Sequence, residues 1–541
     1  MLGLRRRGKG TLLVAFVVAV LLAGAVAGAI VYLTGSSGRE LVSREAKTLQ
    51  GEVLRVRRLH FHPTHQFPPV RHSERRKLNQ EPLNEERVPP TPTQAEADFI
   101  ESSDAPQTTV SSGSLSSSRN GLALLRRQRV YRHIVPLDGD VSFTNEPSIA
   151  AHGKRILATW NWGAALSTDG GTTFRYLDPY TSFPTAHHGF CCDQLAYFVP
   201  QRDLWVWVLQ YSSDETGNIL RIAWARGDSD FDVPRMTFFD LSPASLPNSG
   251  YSQSAWFDYN GVSSTSKYLY VSSNVVDTGY EGVVIRIPLS ELAAGSVNPQ
   301  DVQYFKTRLM TPRLVLGATS TMYFASHLTT STLSVWTWAD DSDSITRGYV
   351  THWAYRTWRY HCPRKGGSAT SDWCLGLRNG YAKNDDRPSA GWLANGRLGW
   401  AWNAAQDRAH GFRYPFVMAV EIDKDKLKRL DQPIIWSSKY AYQYAAITPN
   451  ARGRLAGVVD QGGGTRYLSC AAVVRRPGDG WGAYPLDSSN ADPAEPRAGD
   501  YLGISSGVGT NSWAGACSTL RGGPGRSNEN VGYFLFRRRG G

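Results

Sequence analysis

Polar side chains that could bind a ligand or move a proton recur at the start of one short strand in each of about seven repeating units. Carboxylates, an arginine and aromatic rings around a cavity suit sugar hydroxyls, a cation or an acid–base pair. For any single one of these residues, an equally good explanation is that its side chain caps a strand and hydrogen-bonds the neighbouring unit. The sequence assigns a catalytic role to none of them. The candidates are Glu146, Asp193, Gln253, Asp386, Arg387, Gln443, Tyr444, Asp500 and Tyr501.

The repeating unit predicts how these residues come together. Each unit has a polar opening, a short apolar strand, a turn of Gly, Asn or Asp, and a second strand rich in Trp. Openings recur roughly every 45–70 residues, within or slightly above the spacing of four-stranded propeller blades. The pattern predicts an all-β, seven-bladed β-propeller over residues 129–541, with six blades as the alternative if one unit is an insertion. In such a ring every inner strand starts at the mouth of one central cavity.

The last unit has only three strands before the chain ends. Residues 130–136 are strand-like and belong to no other unit. We expect this segment to supply the missing outer strand, which would close the ring by joining its two ends and would protect the sheet edges.

The N-terminus predicts a membrane anchor. Residues 1–10 are basic, and residues 11–33 carry no charge and would extend about 34 Å as a helix, enough to cross a hydrocarbon core. The basic cluster places the tail in the cytoplasm and the propeller outside it, at the cell surface, in the periplasm or in a secretory lumen. The alternative is a signal peptide cleaved after the small residues 25–27, which would release a secreted protein.

Residues 34–128 predict a disordered, basic stalk, because their Pro- and Ser-rich composition cannot bury enough apolar surface to fold alone. The net charge of +12 could indicate nucleic acid as a partner. Much of the excess, however, lies in the terminal arginine clusters and in this stalk. A membrane-adjacent basic segment explains it better, so no nucleic-acid partner is predicted.

Six cysteines predict disulfides, because both interpretations of the N-terminus deliver the domain to an oxidising compartment. Cys362 and Cys374 bracket a short polar segment and are the predicted local pair. Of the other four, two are neighbours that could bridge each other or pair elsewhere, and two fall on strands of adjacent blades. Disulfides are favoured over zinc, so no metal or cofactor is predicted. These four are Cys191, Cys192, Cys470 and Cys517.

Residues 167–174 match the Asp box, S-x-D-x-G-x-T-F/W, at every specified position through Ser167, Asp169, Gly171, Thr173 and Phe174. The chemistry of the box is structural: Asp caps a tight turn, Gly allows positive φ, and the aromatic ring packs between strands. On this motif, the propeller resembles the sialidase-like superfamily of bacterial neuraminidase repeats.

The resemblance implies a catalytic set that the sequence does not match. Sialidases grip a substrate carboxylate with three arginines and use a Tyr/Glu nucleophile pair with an Asp acid–base. Arg286 lies in an Ile-Arg-Ile-Pro segment, but that segment lacks the leading aromatic and follows the Asp box, so the catalytic role is not carried onto it. The resemblance therefore implies the fold without the sialidase catalytic set.

Together these features predict a membrane-anchored extracytoplasmic propeller that binds a glycan or another surface ligand at its central face. A glycoside hydrolase or lyase of the sialidase-like superfamily is one alternative. A structural platform for protein interactions is another, and the sequence gives no oligomeric state.

Overall fold

Seven antiparallel sheets account for nearly all regular structure in the part of the chain that the computed structural model describes. Aromatic and β-branched residues suit such pleated, half-buried surfaces, and turns rich in Gly, Asn and Asp separate the strands. The described residues are 39–45, 47–48, 57–60, 122–136, 146–161, 163–212, 217–357, 386–463, 466–476, 480–490, 499–523 and 526–538.

Four leading strands and blades 1 to 3 come first along the chain. The leading strands are β1 (Arg39–Glu45), β2 (Lys47–Thr48), β3 (Arg57–His60) and β4 (Leu122–Pro136). Blade 1 is β5 (Ser148–His152), β6 (Arg155–Trp160), β7 (Gly163–Ser167) and β8 (Arg175–Leu177). Blade 2 is β9 (Phe190–Val199), β10 (Leu204–Tyr211), β11 (Leu220–Arg226), helix α1 (Gly227–Asp232) and β12 (Arg235–Leu241). Blade 3 is β13 (Trp256–Ser264), β14 (Tyr268–Val276), β15 (Tyr280–Pro288), helix α2 (Leu289–Ala294) and β16 (Gln303–Thr307).

Blades 4 to 7 follow the same plan. Blade 4 is β17 (Arg313–Leu314), β18 (Thr321–Thr329), β19 (Thr332–Ala339) and β20 (Ser344–Thr351). Blade 5 is β21 (Pro388–Ala394), β22 (Arg397–Ala404), β23 (Phe416–Asp423), β24 (Arg429–Asp431) and β25 (Ile434–Ile435). Blade 6 is β26 (Ala441–Pro449), β27 (Leu455–Gly463), β28 (Arg466–Arg476) and β29 (Gly480–Asp487), and blade 7 is β30 (Gly503–Ser505), β31 (Ser512–Gly523) and β32 (Arg526–Arg538). Short 3-10 turns lie at Pro243–Ser245, Pro299–Asp301 and Arg408–His410.

The innermost strands of the blades contact one another in a full circle. The order is β5, β9, β13, β17, β21, β26 and β30, and β30 returns to contact β5. At this last joint the backbone of Gly507 runs against Ala151, and a side chain at Gly507 would collide with the carbonyl oxygen of Ala151. The circle confirms the predicted seven-bladed propeller and excludes the six-bladed alternative.

The ring is closed on its outer side by β4. This strand pairs with β32 from Leu122 opposite Arg538 to Pro136 opposite Arg526. The structure therefore confirms that a segment preceding the blades supplies the fourth strand of blade 7. The strand begins at Leu122, so it also takes in residues that were assigned to the stalk.

Three further strands lie inside the segment predicted to be a disordered stalk. β1 pairs with β20, β2 with β16 and β3 with β12, so each adds a fifth strand to the outer edge of a blade. An exposed edge offers unpaired backbone groups that another strand can join. At these residues the chain is paired as strand, which differs from the disorder predicted for residues 34–128.

Two of the predicted features at the N-terminus, the tail at residues 1–10 and the anchor at residues 11–33, lie outside the described residues. The predicted Cys362–Cys374 pair lies outside them as well. Across the ranges that are described, no helix combines the length and the apolar character needed to span a bilayer.

Two disulfides occur among the described residues. Cys191 and Cys192 form a vicinal bridge within β9. Cys470 on β28 bridges to Cys517 on β31, across the joint between blades 6 and 7. The sequence had left both connections open, and the second agrees with the placement of these cysteines on adjacent blades.

The hydrophobic core lies between neighbouring blades, where the faces of two sheets pack together. Large indole rings fill these spaces, and full burial of one large apolar side chain contributes about 1.5–3 kcal/mol. The largest fully buried side chains are Trp160, Trp205, Trp207, Trp224, Trp338, Trp392, Trp400, Trp402, Trp481 and Trp513.

Residues 167–174, the predicted Asp box, form the turn between β7 and β8. The Asp169 carboxylate accepts hydrogen bonds from the backbone N–H of Thr173 at 3.0 Å and from its hydroxyl at 2.7 Å. Gly171 has a φ of 79°, which glycine adopts without strain. The Phe174 ring is buried. The residues therefore make the structural contacts that the motif predicts.

Candidate functional site

The mouth is the end of the ring at which the inner strands begin, and eight of the nine candidate residues lie at strand starts there. Five candidates lie just before an inner strand, at the end of the polar loop that enters the blade: Glu146, Asp386, Arg387, Asp500 and Tyr501. The other three lie within the first residues of their strands: Asp193 in β9, and Gln443 and Tyr444 in β26.

Arg387 joins three blades at the mouth. Its Nη2 donates to Oδ2 of Asp500 at 2.6 Å, and both side chains are buried. The guanidinium carbon lies 3.7 Å from the ring centroid of Tyr259, and the Tyr259 hydroxyl donates to the backbone carbonyl of Asp500 at 3.4 Å. A buried charge-assisted pair holds its members in one arrangement, and removing one partner of such a pair costs about 3–5 kcal/mol.

Glu146 extends this network to blade 1. Its Oε2 accepts from Nδ2 of Asn161 at 2.8 Å, and its Oε1 accepts from the backbone N–H of Asp500 at 3.2 Å. The Glu146 side chain is 1% exposed. We call Glu146, Asn161, Tyr259, Arg387 and Asp500 the mouth network.

Tyr259 belongs to the mouth network but was not among the candidates. It has a φ of 50° and sits in a bulge of β13, where the register shifts between Asp258 and Gly261. The bulge turns its ring towards Arg387. A signal existed in the sequence, because Asp258-Tyr259 repeats the polar–tyrosine pair found at Gln443-Tyr444 and at Asp500-Tyr501.

Gln253, the candidate from blade 3, is not brought together with the others. It is exposed in the loop before β13. Ser252 fixes that loop as a turn, since its backbone N–H and its hydroxyl bond to the two oxygens of Asp277 at 2.9 and 2.6 Å. The strand therefore begins three residues later, at Trp256, and its contribution to the mouth comes from the bulge.

Asp193 and Tyr501 are the two candidates that keep partial exposure. The ring centroid of Tyr501 lies 6.4 Å from that of Tyr259, in an edge-to-face arrangement. Its hydroxyl oxygen is buried, and this burial, together with the nearby carboxylates of Asp193, Glu146 and Asp500, raises its pKa well above 10. The phenol is therefore protonated at neutral pH.

The vicinal disulfide sets the position of Asp193. Within β9, Phe190 pairs with Tyr211 and Gln194 pairs with Leu209, so residues 191–193 lie opposite a single residue of β10. Such a bulge re-aims the side chains that it contains. The bridge between the two cysteines closes the bulge covalently, immediately before Asp193.

Blade 6 contributes side chains that are buried at the mouth. Tyr444 has a φ of 51° and is 2% exposed, and its backbone N–H donates to Oδ1 of Asn403 in blade 5 at 2.8 Å. Gln443 is 1% exposed and stands opposite Asp460 on the neighbouring strand. Tyr444 therefore joins blades 5 and 6, while the amide of Gln443 is buried and makes no hydrogen bond to the described residues.

Asp386 lies against a pair of buried histidines between blades 4 and 5. Its Oδ2 accepts from the hydroxyl of Tyr355 at 2.6 Å. The rings of His327 and His352 are 5.9 Å apart, and each packs edge-on or tilted against Trp402. Burial lowers the pKa of His327 well below 6.5 and lowers the pKa of His352 to about 4, so both rings are neutral at pH 7.

Arg286 lies on β15, the third strand of blade 3, and makes contacts towards blade 4. It donates to Gln303 at 2.6 Å and to Asp343 at 3.0 Å, and its guanidinium carbon lies 4.3 Å from the Trp338 ring centroid. These contacts join blades 3 and 4. Within the described ranges, no group of three or more His, Cys, Asp or Glu side chains could hold a metal ion.

Comparison with known proteins gives structural matches only. No family model matches the chain, and no curated protein matches it. The α-L-arabinofuranosidase of Fusarium graminearum, bound to an iminosugar inhibitor, is 11% identical with a TM-score of 0.36, over 76% of this chain and 97% of that one. The α-L-arabinanase of Penicillium chrysogenum, bound to arabinobiose, is 12% identical with a TM-score of 0.34, over 76% and 98%.

The sialidase of Trypanosoma rangeli, bound to the inhibitor DANA, is 8% identical with a TM-score of 0.35, over 75% of this chain and 60% of that one. Identities and TM-scores this low transfer no activity to the chain, and the seven-bladed fold rests on its own strand pairing.

Proposed function

We propose that this chain is a membrane-anchored, extracytoplasmic propeller that binds a glycan at the mouth of its central channel. The observation that supports the proposal is the meeting of side chains from blades 1, 2, 3, 5 and 7 at one end of the ring. Buried Glu146, Arg387 and Asp500 bond one another there, while Asp193 and Tyr501 keep partial exposure beside them. Rigid buried groups behind two accessible ones are what a binding site needs.

The chemistry of the two accessible residues fits a sugar. A carboxylate such as Asp193 accepts hydrogen bonds from hydroxyl pairs, and a tyrosine ring such as Tyr501 packs against the apolar face of a pyranose. Arg387 in the mouth network is already paired with Asp500. The exposed groups of Asp193 and Tyr501 therefore favour a hydroxyl-rich ligand.

A glycan array probed with the full chain in detergent tests this proposal. Asp193→Asn removes the charged acceptor while keeping side-chain shape, and Tyr501→Ala removes the ring that would pack against the sugar. We expect Asp193→Asn to weaken binding about 10-fold or more, since a hydrogen bond to a charged group contributes about 1.5–3 kcal/mol. We expect Tyr501→Ala to weaken binding through loss of the ring contact. Asp341→Asn, the same change at an exposed site, is the control and keeps wild-type binding. Wild-type affinity in both mouth variants would contradict the proposal.

The anchor has its own support and its own test. The uncharged run at residues 11–33 supports a membrane span, and the two disulfides of the described residues support an oxidising compartment. We expect the chain to stay in the membrane pellet after carbonate washing and to be cut by protease added outside intact cells. Recovery as a shortened soluble protein would indicate signal cleavage and secretion instead.

Hydrolysis of a glycosidic bond is a second candidate, favoured by the surroundings of Tyr501. Sialidases use a tyrosine beside a carboxylate, and Tyr501 lies among Asp193, Glu146 and Asp500. The raised pKa of the phenol works against it as a nucleophile. A panel of fluorogenic glycosides decides between the two: turnover that Asp193→Asn abolishes without loss of binding would favour the enzyme, and binding without turnover would favour the lectin-like function.

A further inference from the structure

The first described strand, β1, determines where the N-terminal part of the chain joins the propeller. It pairs with β20 in antiparallel register, with Arg39 opposite Gly348 and Glu45 opposite Ser344. We call the end of the ring opposite the mouth the base. β20 runs from the base to the mouth, because its last residue, Thr351, pairs with the first residue of β19 beside the mouth-side turn that joins β18 and β19. The chain therefore enters β1 from the mouth side.

The connection between β1 and the proposed anchor is short. Residues 34–38 are the five residues between the anchor at residues 11–33 and Arg39, and five residues reach about 18 Å at most. Arg39 lies opposite Gly348, which is three residues from the mouth end of β20, a distance of about 10 Å. About 8 Å of reach therefore remains beyond the mouth edge of blade 4 when the chain continues in the direction of β1.

The opposite orientation, with the base towards the membrane, does not fit this connection. The chain would have to reverse its direction before Arg39 and then pass from the level of Gly348 to that of Ser344, which is about 13 Å. A tight reversal takes about four residues, so about one of the five is left to cover this distance. The connection therefore brings the mouth, rather than the base, to the membrane.

The loops at the mouth end of blades 4 and 5 have the composition of a membrane interface. They are the loop after β20, the loop between β22 and β23, and the loop after β25. Trp and Tyr are enriched at the level of lipid headgroups, and the long side chains of Lys and Arg place their charges there. Half-exposed aromatic rings and exposed cations alternate in these loops, and we call them the rim: Trp353, Arg408, Arg413, Tyr414, Trp436 and Lys439.

The rim is an ordered surface with uncompensated positive charge. The guanidinium carbon of Arg413 lies 5.5 Å from the ring centroid of Tyr414, and the Trp436 ring packs edge-on against Phe412 with centroids 5.4 Å apart. Among the described residues of these three loops, the one carboxylate is Asp407, which is buried. The exposed charges of the rim are therefore all positive, as contact with lipid phosphates requires.

We propose that the mouth faces the membrane that holds the anchor, with the rim among the lipid headgroups, and that the ligand is the sugar headgroup of a glycolipid in that same membrane. The inference rests on the anchor and on the glycan site proposed above, and it adds the class of molecule that carries the glycan. The short connection allows little space between mouth and bilayer, so a sugar carried by the bilayer itself reaches Asp193 and Tyr501 most readily.

Energy transfer in liposomes tests the orientation without any ligand. The full chain is reconstituted in phosphatidylcholine liposomes that contain an acceptor-labelled phospholipid. A donor dye is attached at Thr351→Cys, exposed at the mouth end of blade 4, or at Asp341→Cys, exposed at its base. We expect stronger transfer from position 351. Equal transfer, as in a ring standing on its edge, or stronger transfer from position 341 would overturn the proposal, and so would failure of the chain to float with the liposomes.

A longer connection tests the ligand class. The glycan that binds best on the array is coupled to phosphatidylethanolamine and placed either in the liposomes that hold the protein or in separate ones. We expect the wild type to bind separate liposomes at least about 10-fold more weakly than an insertion variant with about 20 Gly and Ser residues after Ser36. The same insertion after Ser112 leaves the connection to β1 unchanged and is the control.

Equal capture of separate liposomes by the wild type and by the variant extended after Ser36 would overturn the glycolipid assignment and would indicate a glycan on another surface or on a soluble molecule. An array without any bound glycan contradicts the proposed function and the ligand class together. Energy transfer then still decides the orientation, so failure of the binding site and failure of the orientation are distinguished.

Discussion

Replacing Asp460 with Asn tests whether the protein keeps a neutral carboxylic acid inside blade 6. Asp460 lies on β27, 5% exposed, between Gln443 on one neighbouring strand and Cys470 on the other. Burial raises the pKa of its carboxyl from 3.8 to about 8. The group is therefore mostly protonated at neutral pH, and asparagine reproduces the shape and polarity of that neutral form.

The raised pKa fixes the sign of the pH dependence. Between pH 3.8 and about 8 the folded protein keeps a proton that the unfolded chain has lost. Because the folded state then binds more protons, its stability falls as pH rises through this window and is fully retained only below pH 3.8. One pKa unit corresponds to about 1.4 kcal/mol, so the whole window amounts to on the order of 5 kcal/mol.

Urea unfolding of the wild type and of Asp460→Asn between pH 4 and 9 measures this effect. We expect nearly equal stabilities at pH 4 and a growing advantage of the variant at higher pH, levelling off above pH 8. Taking the difference between the two proteins cancels every other titrating group. Asp341→Asn, at an exposed position, shows no such trend. A difference that stays constant from pH 4 to 9 would refute the burial of a neutral acid.

Three further outcomes are expected. Replacing Cys470 and Cys517 with Ala opens a loop of 47 residues and lowers the unfolding free energy by about 4 kcal/mol, measured in urea. Burial lowers the pKa of the His352 ring from 6.5 to about 4, so the wild type loses stability as pH falls through this range. We expect His352→Gln to reduce that loss, measured as Tm against pH. Asp169→Ala lowers the unfolding free energy by about 0.5–1.5 kcal/mol at pH 7, measured by calorimetry, because its bonds to Thr172 and Thr173 lie at an exposed turn. Burial acts to raise the pKa of Asp169, but the hydrogen bonds from Thr173 outweigh it and lower this pKa, so the cost shrinks below pH 3.8.

The architecture was predictable because each blade repeats the same local chemistry. A polar opening, an apolar strand and a Gly, Asn or Asp turn recur seven times, and the three-stranded last unit required a fourth strand from elsewhere, which β4 supplies. The added strands β1, β2 and β3 were not predictable. They join blade edges through backbone hydrogen bonds, which do not require apolar and polar residues to alternate in the sequence. The Pro- and Ser-rich composition around them indicates disorder.

The site was predictable where position along the chain determines position in the ring. Glu146, Arg387 and Asp500 precede inner strands, so they meet at the mouth. Blade 3 departs from this rule, because a turn held by Asp277 delays its strand and a bulge brings Tyr259 to the mouth instead of Gln253. A bulge adds one residue to a strand and so changes which side chain faces the mouth. The alternation of residues in the sequence does not show where a bulge occurs.

Arg387 and Arg313 both contact the ring of Tyr259 but differ in what their loss does to the fold. Arg387 is paired, so Arg387→Gln leaves Asp500 buried without its counter-charge and lowers the unfolding free energy by about 3–5 kcal/mol. Arg313 has no acidic partner among the described residues, so Arg313→Gln leaves no carboxylate unpaired and costs less. Urea unfolding of the two variants measures the difference, and equal losses of stability would contradict the structural role of the Arg387–Asp500 pair.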